Sequence, residues 1–357
     1  MPISNKKLLP SPLGIYHAAT VTCPDAGAVG NFEFMAGKSI VWTMVSNVWL
    51  NEAREGKPAD PGIWFPWAAV TELTYNTTNC LPFIRISPRS RREKWRKQAE
   101  PLYSVQAIAD GKFDPELLQW GLAAKNFDKP LLVEFGAEMN GYWQPWNAKY
   151  NGAGQSAGED APDGKPRYKG QKAYRDAHCR IINLFDTIGV DNITWIFHVN
   201  YNNAPKDEWN RMAGYYPGDE YIDWIGVSCY AAHTLEPLTP LKDIIDPVID
   251  EIRTFSPGVV AGTKPIAIAE LGAIDYPDSS KPNWIRDAYD LLANQSGNHG
   301  PYRDQIKAVS WWDETWWQGE ENGTPAFLAN NSIASSPASV KAYREAVNHP
   351  RLLGSAW

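Results

Sequence analysis

The feature that most constrains the fold of this 357-residue chain is a series of eight short apolar runs along its whole length. Most of them are continuously apolar rather than alternating, which indicates parallel strands that are buried on both faces. The eight predicted strands are Leu13–Ala19, Ser39–Ser46, Leu81–Ser87, Leu131–Gly136, Ile193–Val199, Asp223–Tyr230, Pro265–Leu271 and Ile306–Trp312.

Helical patterns lie between these runs and after the last one. The predicted helices are Pro115–Phe127, Gln171–Ile188, Leu241–Thr254, Asn283–Ala293 and Ala338–Val347. Asp114-Pro115 and Ser336-Pro337 are each interpreted as an N-cap followed by proline in the first helical position. Strands alternating with helices predict an α/β fold, a single (β/α)₈ TIM barrel over residues 1–357. Because such a barrel needs about 250 residues, we expect extended βα loops, most clearly at Asn147–Gly170.

Charge and composition exclude several other classes of protein. The 34 Lys and Arg against 41 Asp and Glu give a net charge of −7, which leaves no basic footprint for nucleic acid. No apolar run reaches the roughly 18 residues that span a bilayer. The 17 tryptophans argue against a disordered chain. Cys23, Cys80, Cys179 and Cys229 show no metal-binding spacing, and we expect four free thiols.

Two glutamates stand where the predicted strands end, which is where barrel enzymes of this type hold their active sites. Glu138 follows strand four and Glu270 ends strand seven, so their carboxylates should face each other across the mouth. Glycoside hydrolysis needs a proton at the leaving oxygen and a nucleophile at the anomeric carbon, and paired carboxylates supply both. Glu134 is instead expected to form an ion pair with Arg85 on strand three.

Aromatic and amide side chains at the same strand ends are the candidate sugar-binding residues. We expect sugar platforms among Trp143, Trp146, Trp311 and Trp312. His198 and Asn200 end strand five and could contact sugar hydroxyls or the acid/base; the alternative for His198 is a hydrogen-bonded residue of the barrel rim. Asn140, two residues after Glu138, is a further candidate for substrate binding. Tryptophans inside strand or helix patterns are expected in the core: Trp42, Trp120, Trp195 and Trp284.

Three segments of the chain resemble motifs of glycoside hydrolase family 26, a barrel family that includes β-mannanases. Glu138–Trp143 resembles its acid/base motif, Tyr215–Val227 its segment leading into strand six, and Ile268–Ala273 its nucleophile strand. The resemblance implies that Glu138 is the acid/base and Glu270 the nucleophile. It also implies that Tyr230 orients the nucleophile and that Trp143 and Trp311 bind sugar.

The chain departs from the family pattern at two positions near the acid/base. Mannanases of the family usually carry His directly before the acid/base and Arg four residues before it, where this chain has Ala137 and Glu134. Arg85 could complete a swapped pair with Glu134. The change at Ala137 removes a polar contact close to the cleavage point, which bears on mannan specificity rather than on hydrolysis.

The sequence therefore predicts a retaining endo-β-glycanase that works by double displacement, with β-1,4-mannan as the first substrate. Mixed-linkage β-1,3-1,4-glucan and xylan are alternatives, and a carbohydrate-binding pseudoenzyme is an alternative of another class. We expect a polysaccharide or oligosaccharide substrate, no cofactor, no metal, no nucleic-acid or membrane partner, and a monomer. No signal peptide is visible in Met1–Gly14, although the substrate class favours an extracellular or periplasmic location.

Overall fold

The computed structural model describes residues 3–4, 6–52, 60–92, 97–232, 237–275, 280–294, 303–319 and 326–356. Its centre is a curled sheet of nine strands in which each neighbouring pair is parallel. Eight of these strands form the barrel: β1 Ile15–Val21, β2 Trp42–Val48, β3 Leu81–Ser87, β4 Leu131–Phe135, β5 Ile193–Asn200, β6 Trp224–Tyr230, β7 Ile266–Gly272 and β8 Ile306–Asp313.

Hydrogen bonds between β1 and the segment around β2 bring the two ends of the series together. The backbone N of Val41 donates to the carbonyl of His17 at 2.8 Å, and the N of Val21 donates to the Thr43 hydroxyl at 3.3 Å. The ninth strand, Leu352–Leu353, pairs with β1. The predicted (β/α)₈ barrel is confirmed, and each predicted strand is present with ends within three residues of the predicted ones.

The described helices surround this barrel. They are Ala26–Ala36, Trp67–Asn76, Val105–Ala109, Asp114–Phe127, Lys169–Thr187, Met212–Tyr215, Leu241–Arg253, Pro257–Val260, Lys281–Ala293 and Pro337–Val347. Ser336 caps the last helix as predicted, because its hydroxyl accepts from the N of Ser339 at 3.1 Å. The predicted cap at Asp114 is wrong. Phe113 is the N-cap, and the Asp114 carboxylate instead accepts from the Arg180 Nε at 2.7 Å.

The barrel strands separate two apolar layers. One layer fills the barrel and includes Tyr16, Trp42, Phe83 and Trp224. The other lies between the strands and the helices and holds most of the buried apolar residues. All four tryptophans predicted for the core are buried, and the four cysteines are free thiols as predicted.

Two long βα loops contain structure of their own at the carboxyl ends of the strands. The predicted loop after β4 includes a short antiparallel pair, Ser156–Asp160 with Pro166–Tyr168. The segment after β8 forms an antiparallel pair of Thr315–Gln318 with Phe327–Asn330. In the described parts of the chain, no helix combines the length and the apolar character needed to cross a membrane.

Candidate active site

A β-bulge in β7 aims Glu270 into the barrel. Val227 of β6 pairs with Ile268, but the next residue, Ser228, pairs with Glu270, so β7 has one extra residue here. The same extra residue interrupts the pairing of β7 with β8. A bulge of this kind redirects a side chain beside a functional site. Glu270 is 4% exposed, while the next residue, Leu271, is fully buried against the helices.

Tyr230, at the end of β6, holds one oxygen of the Glu270 carboxylate. Its hydroxyl donates to Oε2 at 2.5 Å. Burial raises the pKa of Tyr230 well above its usual value, and the charge of Glu270 adds to this effect. The hydroxyl therefore stays protonated and can act as a permanent donor to the carboxylate. This is the contact that the sequence predicts for these two residues.

Glu138 lies just past the end of β4 in a backbone conformation that is uncommon for a residue with a side chain. Its φ is +55°, in the left-handed region, where a non-glycine residue usually signals a local constraint. Its backbone N donates to the carbonyl of His198 on β5 at 2.8 Å. This bond ties the turn to the neighbouring strand and fixes the direction in which the Glu138 side chain leaves it.

Trp143 folds back over the backbone of its own loop to reach Glu138. Its indole Nε1 donates to Oε2 of Glu138 at 2.8 Å. The ring passes so close to Gly141 that a Cβ there would lie 2.4 Å from it, so this position requires glycine. Trp143 remains partly exposed, and its position beside Glu138 is compatible with the predicted sugar contact.

Arg85 of β3 links two carboxylates inside the barrel mouth. It pairs through Nε with Glu134, its register partner on β4, and its Nη2 lies 2.5 Å from Oε1 of Glu270. The ion pair predicted between Arg85 and Glu134 is present. Burial alone would raise the pKa of Glu134, but the charge of Arg85 and the interactions with His198 outweigh it and lower this pKa.

His198 and Ser228 connect Glu134 to Glu138. The Nδ1 of His198 lies 2.6 Å from Oε2 of Glu134, and its Nε2 lies 2.8 Å from the Ser228 hydroxyl. Burial alone would raise the pKa of Glu138, but the electrostatic interaction with His198 and the hydrogen bonds from Trp143 and Ser228 together lower it. The position of His198 matches the alternative reading of a hydrogen-bonded residue of the barrel rim.

The structure brings the two glutamates into one electrostatic neighbourhood. Arg85 and Tyr230 each interact electrostatically with both Glu138 and Glu270. The carboxyl ends of β4 and β7 thus deliver two carboxylates to a shared mouth, as the strand-end argument predicts. Ser228 was not among the predicted residues. Its place two residues before Tyr230, on the same inward face of β6, is the signal that could have found it.

The placement of Trp311 corrects one prediction. Trp311 is fully buried, donates through Nε1 to the carbonyl of Asn331 at 2.9 Å, and packs against Trp284 and Tyr343 on the helix side of the sheet. It has no face available for a sugar. The reason is the two-residue alternation of the strand, which turns the next residue, Trp312, inward. The Arg85 guanidinium lies 5.5 Å from the centre of the Trp312 ring.

Three further residues predicted to bind sugar are buried instead: Trp146, Asn140 and Asn200. Trp146 is 4% exposed and donates to the carbonyl of Ala137 at 2.9 Å. Asn140 is fully buried; its amide donates to the carbonyls of Asn200 and Asn202, and its oxygen accepts from the N of Asn200. Asn140 and Asn200 therefore connect the loops after β4 and β5 by hydrogen bonds, and these bonds hold the turn that contains Glu138.

The predicted absence of a metal is not tested by these contacts, although the described residues contain no group of three or more His, Cys, Asp or Glu that could hold an ion.

A further aromatic, Trp316, was not predicted and packs edge-on against Tyr230 with ring centres 5.9 Å apart. It belongs to the strand pair after β8, whose proximity to β6 cannot be inferred from sequence spacing.

Two glutamates from different strands that share one barrel mouth are the arrangement that glycoside hydrolysis uses. Residues 118–320 match the model of glycosyl hydrolase family 26. This match covers more than half of the chain, and the chain therefore belongs to that family. The family is the one that the motif resemblance indicates, and its members are glycoside hydrolases.

Comparison with individual proteins gives a curated protein that is similar in sequence and several solved structures that are similar in fold. Endoglucanase H of Acetivibrio thermocellus is 27% identical over 245 residues, which are 69% of this chain and 23% of that protein. The chain thus spans less than a quarter of the length of this curated relative.

The solved structures are similar in fold at low identity. A modular endo-β-1,4-mannanase from Cellulomonas fimi has a TM-score of 0.60 at 13% identity, covering 95% of this chain and 72% of that one. The mannanase BCman from Bacillus subtilis has a TM-score of 0.54 at 15% identity, covering 92% and 84%. These likenesses establish the shared barrel architecture.

Proposed function

We propose that this protein is a retaining endo-β-glycanase in which Glu270 is the nucleophile and Glu138 the acid/base. The observation that carries the proposal is the joint position of the two glutamates, both within the electrostatic reach of Arg85 and Tyr230. In the first step, an oxygen of Glu270 attacks the anomeric carbon while Glu138 protonates the leaving oxygen. In the second, Glu138 removes a proton from water, which displaces Glu270 from the sugar.

The partners of Glu270 suit a nucleophile. Tyr230 and Arg85 each contact one of its oxygens, so both oxygens are oriented and the negative charge is stabilised. The double displacement needs a carboxylate at this position, and a guanidinium and a donating hydroxyl are the partners that a carboxylate binds.

The partners of Glu138 suit a group that alternates between acid and base. Its lowered pKa favours the ionised form, which the water-activating step needs. The protonated form is needed for the first step. A bound sugar chain excludes water from the mouth, which disfavours the ionised form of Glu138 and raises its pKa. Substrate binding would therefore favour the protonated form of Glu138 that the first step needs.

β-1,4-Mannan is the first candidate substrate, from the family resemblance and from neighbours in fold named as mannanases. β-Glucan is the second. The observation that favours it is the name of the 27% identical relative, an endoglucanase. Ala137 has no polar side chain at the position where mannanases of the family usually carry His, and this weakens the case for mannan.

The experiment that tests this function is hydrolysis of a substrate panel: mannan, glucomannan, mixed-linkage barley glucan, xylan and β-1,3-xylan. Release of reducing ends, compared with the loss of viscosity, measures both the substrate and endo action. We expect viscosity to fall well before reducing ends accumulate. Activity on none of the five polymers by wild-type protein, under conditions where it is folded, would contradict the proposal.

A further inference from the structure

Three carboxylates in the barrel mouth share one arginine among the residues that the structure describes. Arg85 pairs with Glu134 and Glu270, and it also lies within the field of Glu138. Three carboxylates against one guanidinium leave two net negative charges in a mostly buried space. A second cation there would be strongly favoured.

His198 is the residue placed to be that cation. Glu134 on β4 and Ser228 on β6 contact its two ring nitrogens, at 2.6 and 2.8 Å. The charged groups facing it from the surrounding elements are Glu138 after β4, Glu270 on β7 and Arg85 on β3, whose Nη2 lies 3.4 Å from Nδ1. Burial and Arg85 lower the pKa of His198, but Glu134 and Glu270 outweigh them and the pKa is raised.

The direction of each hydrogen bond follows from what the groups can donate. An ionised carboxylate only accepts, so Nδ1 of His198 must carry a proton toward Glu134. If Nε2 also carries one, it donates to the Ser228 oxygen, and the single hydroxyl hydrogen of Ser228 is left for Glu138. If Nε2 is bare, Ser228 must donate to it, and Glu138 loses this donor.

We propose that His198 and Ser228 are positioning residues for the acid/base: doubly protonated His198 orients the Ser228 hydroxyl so that it donates to Glu138. The relay rests on the proposed role of Glu138. When the His198 imidazole is positively charged, Glu138 accepts hydrogen bonds from two donors, Trp143 and Ser228. When it is neutral, Trp143 alone donates to Glu138. Neither positioning residue needs to touch the substrate.

The relay predicts a specific pH signature. The Ser228 donor stabilises ionised Glu138, so Ser228→Ala should raise the pKa of Glu138. The limb of kcat/KM on which the protonated acid is lost should then move to higher pH by about one unit on polysaccharide. Ser228→Thr, which keeps a hydroxyl, is the matched control and should keep the wild-type limb. A purely structural serine would lower the rate without moving the limb.

A spectroscopic measurement tests the imidazole without using activity. In uniformly ¹⁵N-labelled protein at pH 7, we expect the spectrum to contain a histidine with both ring nitrogens protonated that belongs to His198. Ser228→Ala removes the partner of its Nε2 and should shift that signal, which assigns it to His198 even if substitution of His198 itself prevents folding. A neutral His198 at pH 7 would overturn the relay.

The two proposals fail in different ways. If Glu138→Ala loses equal activity on polysaccharide and on aryl glycosides with good leaving groups, Glu138 is not the acid/base, and the ¹⁵N spectrum still decides the state of His198. If Glu138→Ala spares the aryl glycosides while the Ser228→Ala limb stays at the wild-type pH, the relay alone is overturned.

Discussion

The hydroxyl of Tyr230 on β6 lies 2.5 Å from Oε2 of Glu270 on β7. The register between these two strands shifts by one residue just before this contact. A hydrogen bond to a charged group contributes about 1.5–3 kcal/mol. We therefore expect Tyr230→Phe to lower kcat/KM roughly 10- to 150-fold with little change in fold. Tyr289→Phe is the control, because it removes a buried hydroxyl that binds Tyr343 away from the mouth. Equal activity of the two variants would contradict a role for Tyr230.

Two adjacent tryptophans on β8 should behave in opposite ways. Trp311 is fully buried in the layer beneath the helices, so Trp311→Ala should lower the free energy of unfolding by about 3–5 kcal/mol. Trp312 faces Arg85 in the mouth, so Trp312→Ala should mainly raise KM for polysaccharide. Denaturant unfolding and steady-state kinetics separate the effects. If folded Trp311→Ala raised KM more than Trp312→Ala does, the assignment of the two tryptophans would be wrong.

Gly141 is predicted to be indispensable for the acid/base geometry. A Cβ at this position would lie 2.4 Å from the Trp143 ring, so Gly141→Ala must displace the indole that donates to Glu138. We expect a loss of kcat on polysaccharide of at least tenfold. Gly154→Ala in the same loop is the matched control, because its Cβ would meet the nearest atom at an ordinary 3.6 Å. Wild-type kinetics of Gly141→Ala would count against the Trp143 contact.

His178 gives the protein a predicted weakness toward acid. It is fully buried among Phe135, Tyr174 and Trp195, and burial lowers its pKa to about 3. The unfolded chain takes up this proton near pH 6.5 and the folded chain does not, so stability falls as pH falls from about 6.5 toward 3. His178→Phe should flatten this part of the stability curve, as measured by denaturant unfolding at each pH. An unchanged slope would show that His178 does not titrate on unfolding.

The barrel could be predicted because its strands are buried on both faces and read as continuous apolar runs. β3 has the predicted bounds, Leu81–Ser87, since Pro and polar residues flank it. Ala26–Ala36 and Trp67–Asn76 were not predicted as helices. Few of their residues are buried, and the first contains two glycines, so neither shows a clear apolar stripe.

The site could be predicted only in part, because its fine geometry depends on strand register. Glu138, Glu270 and Tyr230 follow from strand ends and motifs. The bulge that aims Glu270 inward arises from pairing with both neighbouring strands. The motif resemblance places Trp311 in the mouth, although this residue lies one position away from an inward-facing one. The contact of His198 with Ser228 joins residues 30 positions apart and has no local signal.

The most direct test of the central claim is to trap the covalent intermediate on Glu270. A 2-deoxy-2-fluoro glycoside of the preferred sugar, with a dinitrophenolate leaving group, should form an ester as the carboxylate displaces the phenolate. The account predicts one adduct per chain, mapped by mass spectrometry of peptides to Glu270 and absent from Glu270→Gln. Attachment to a different carboxylate, or an inverted product from the natural polysaccharide without any adduct, would contradict it.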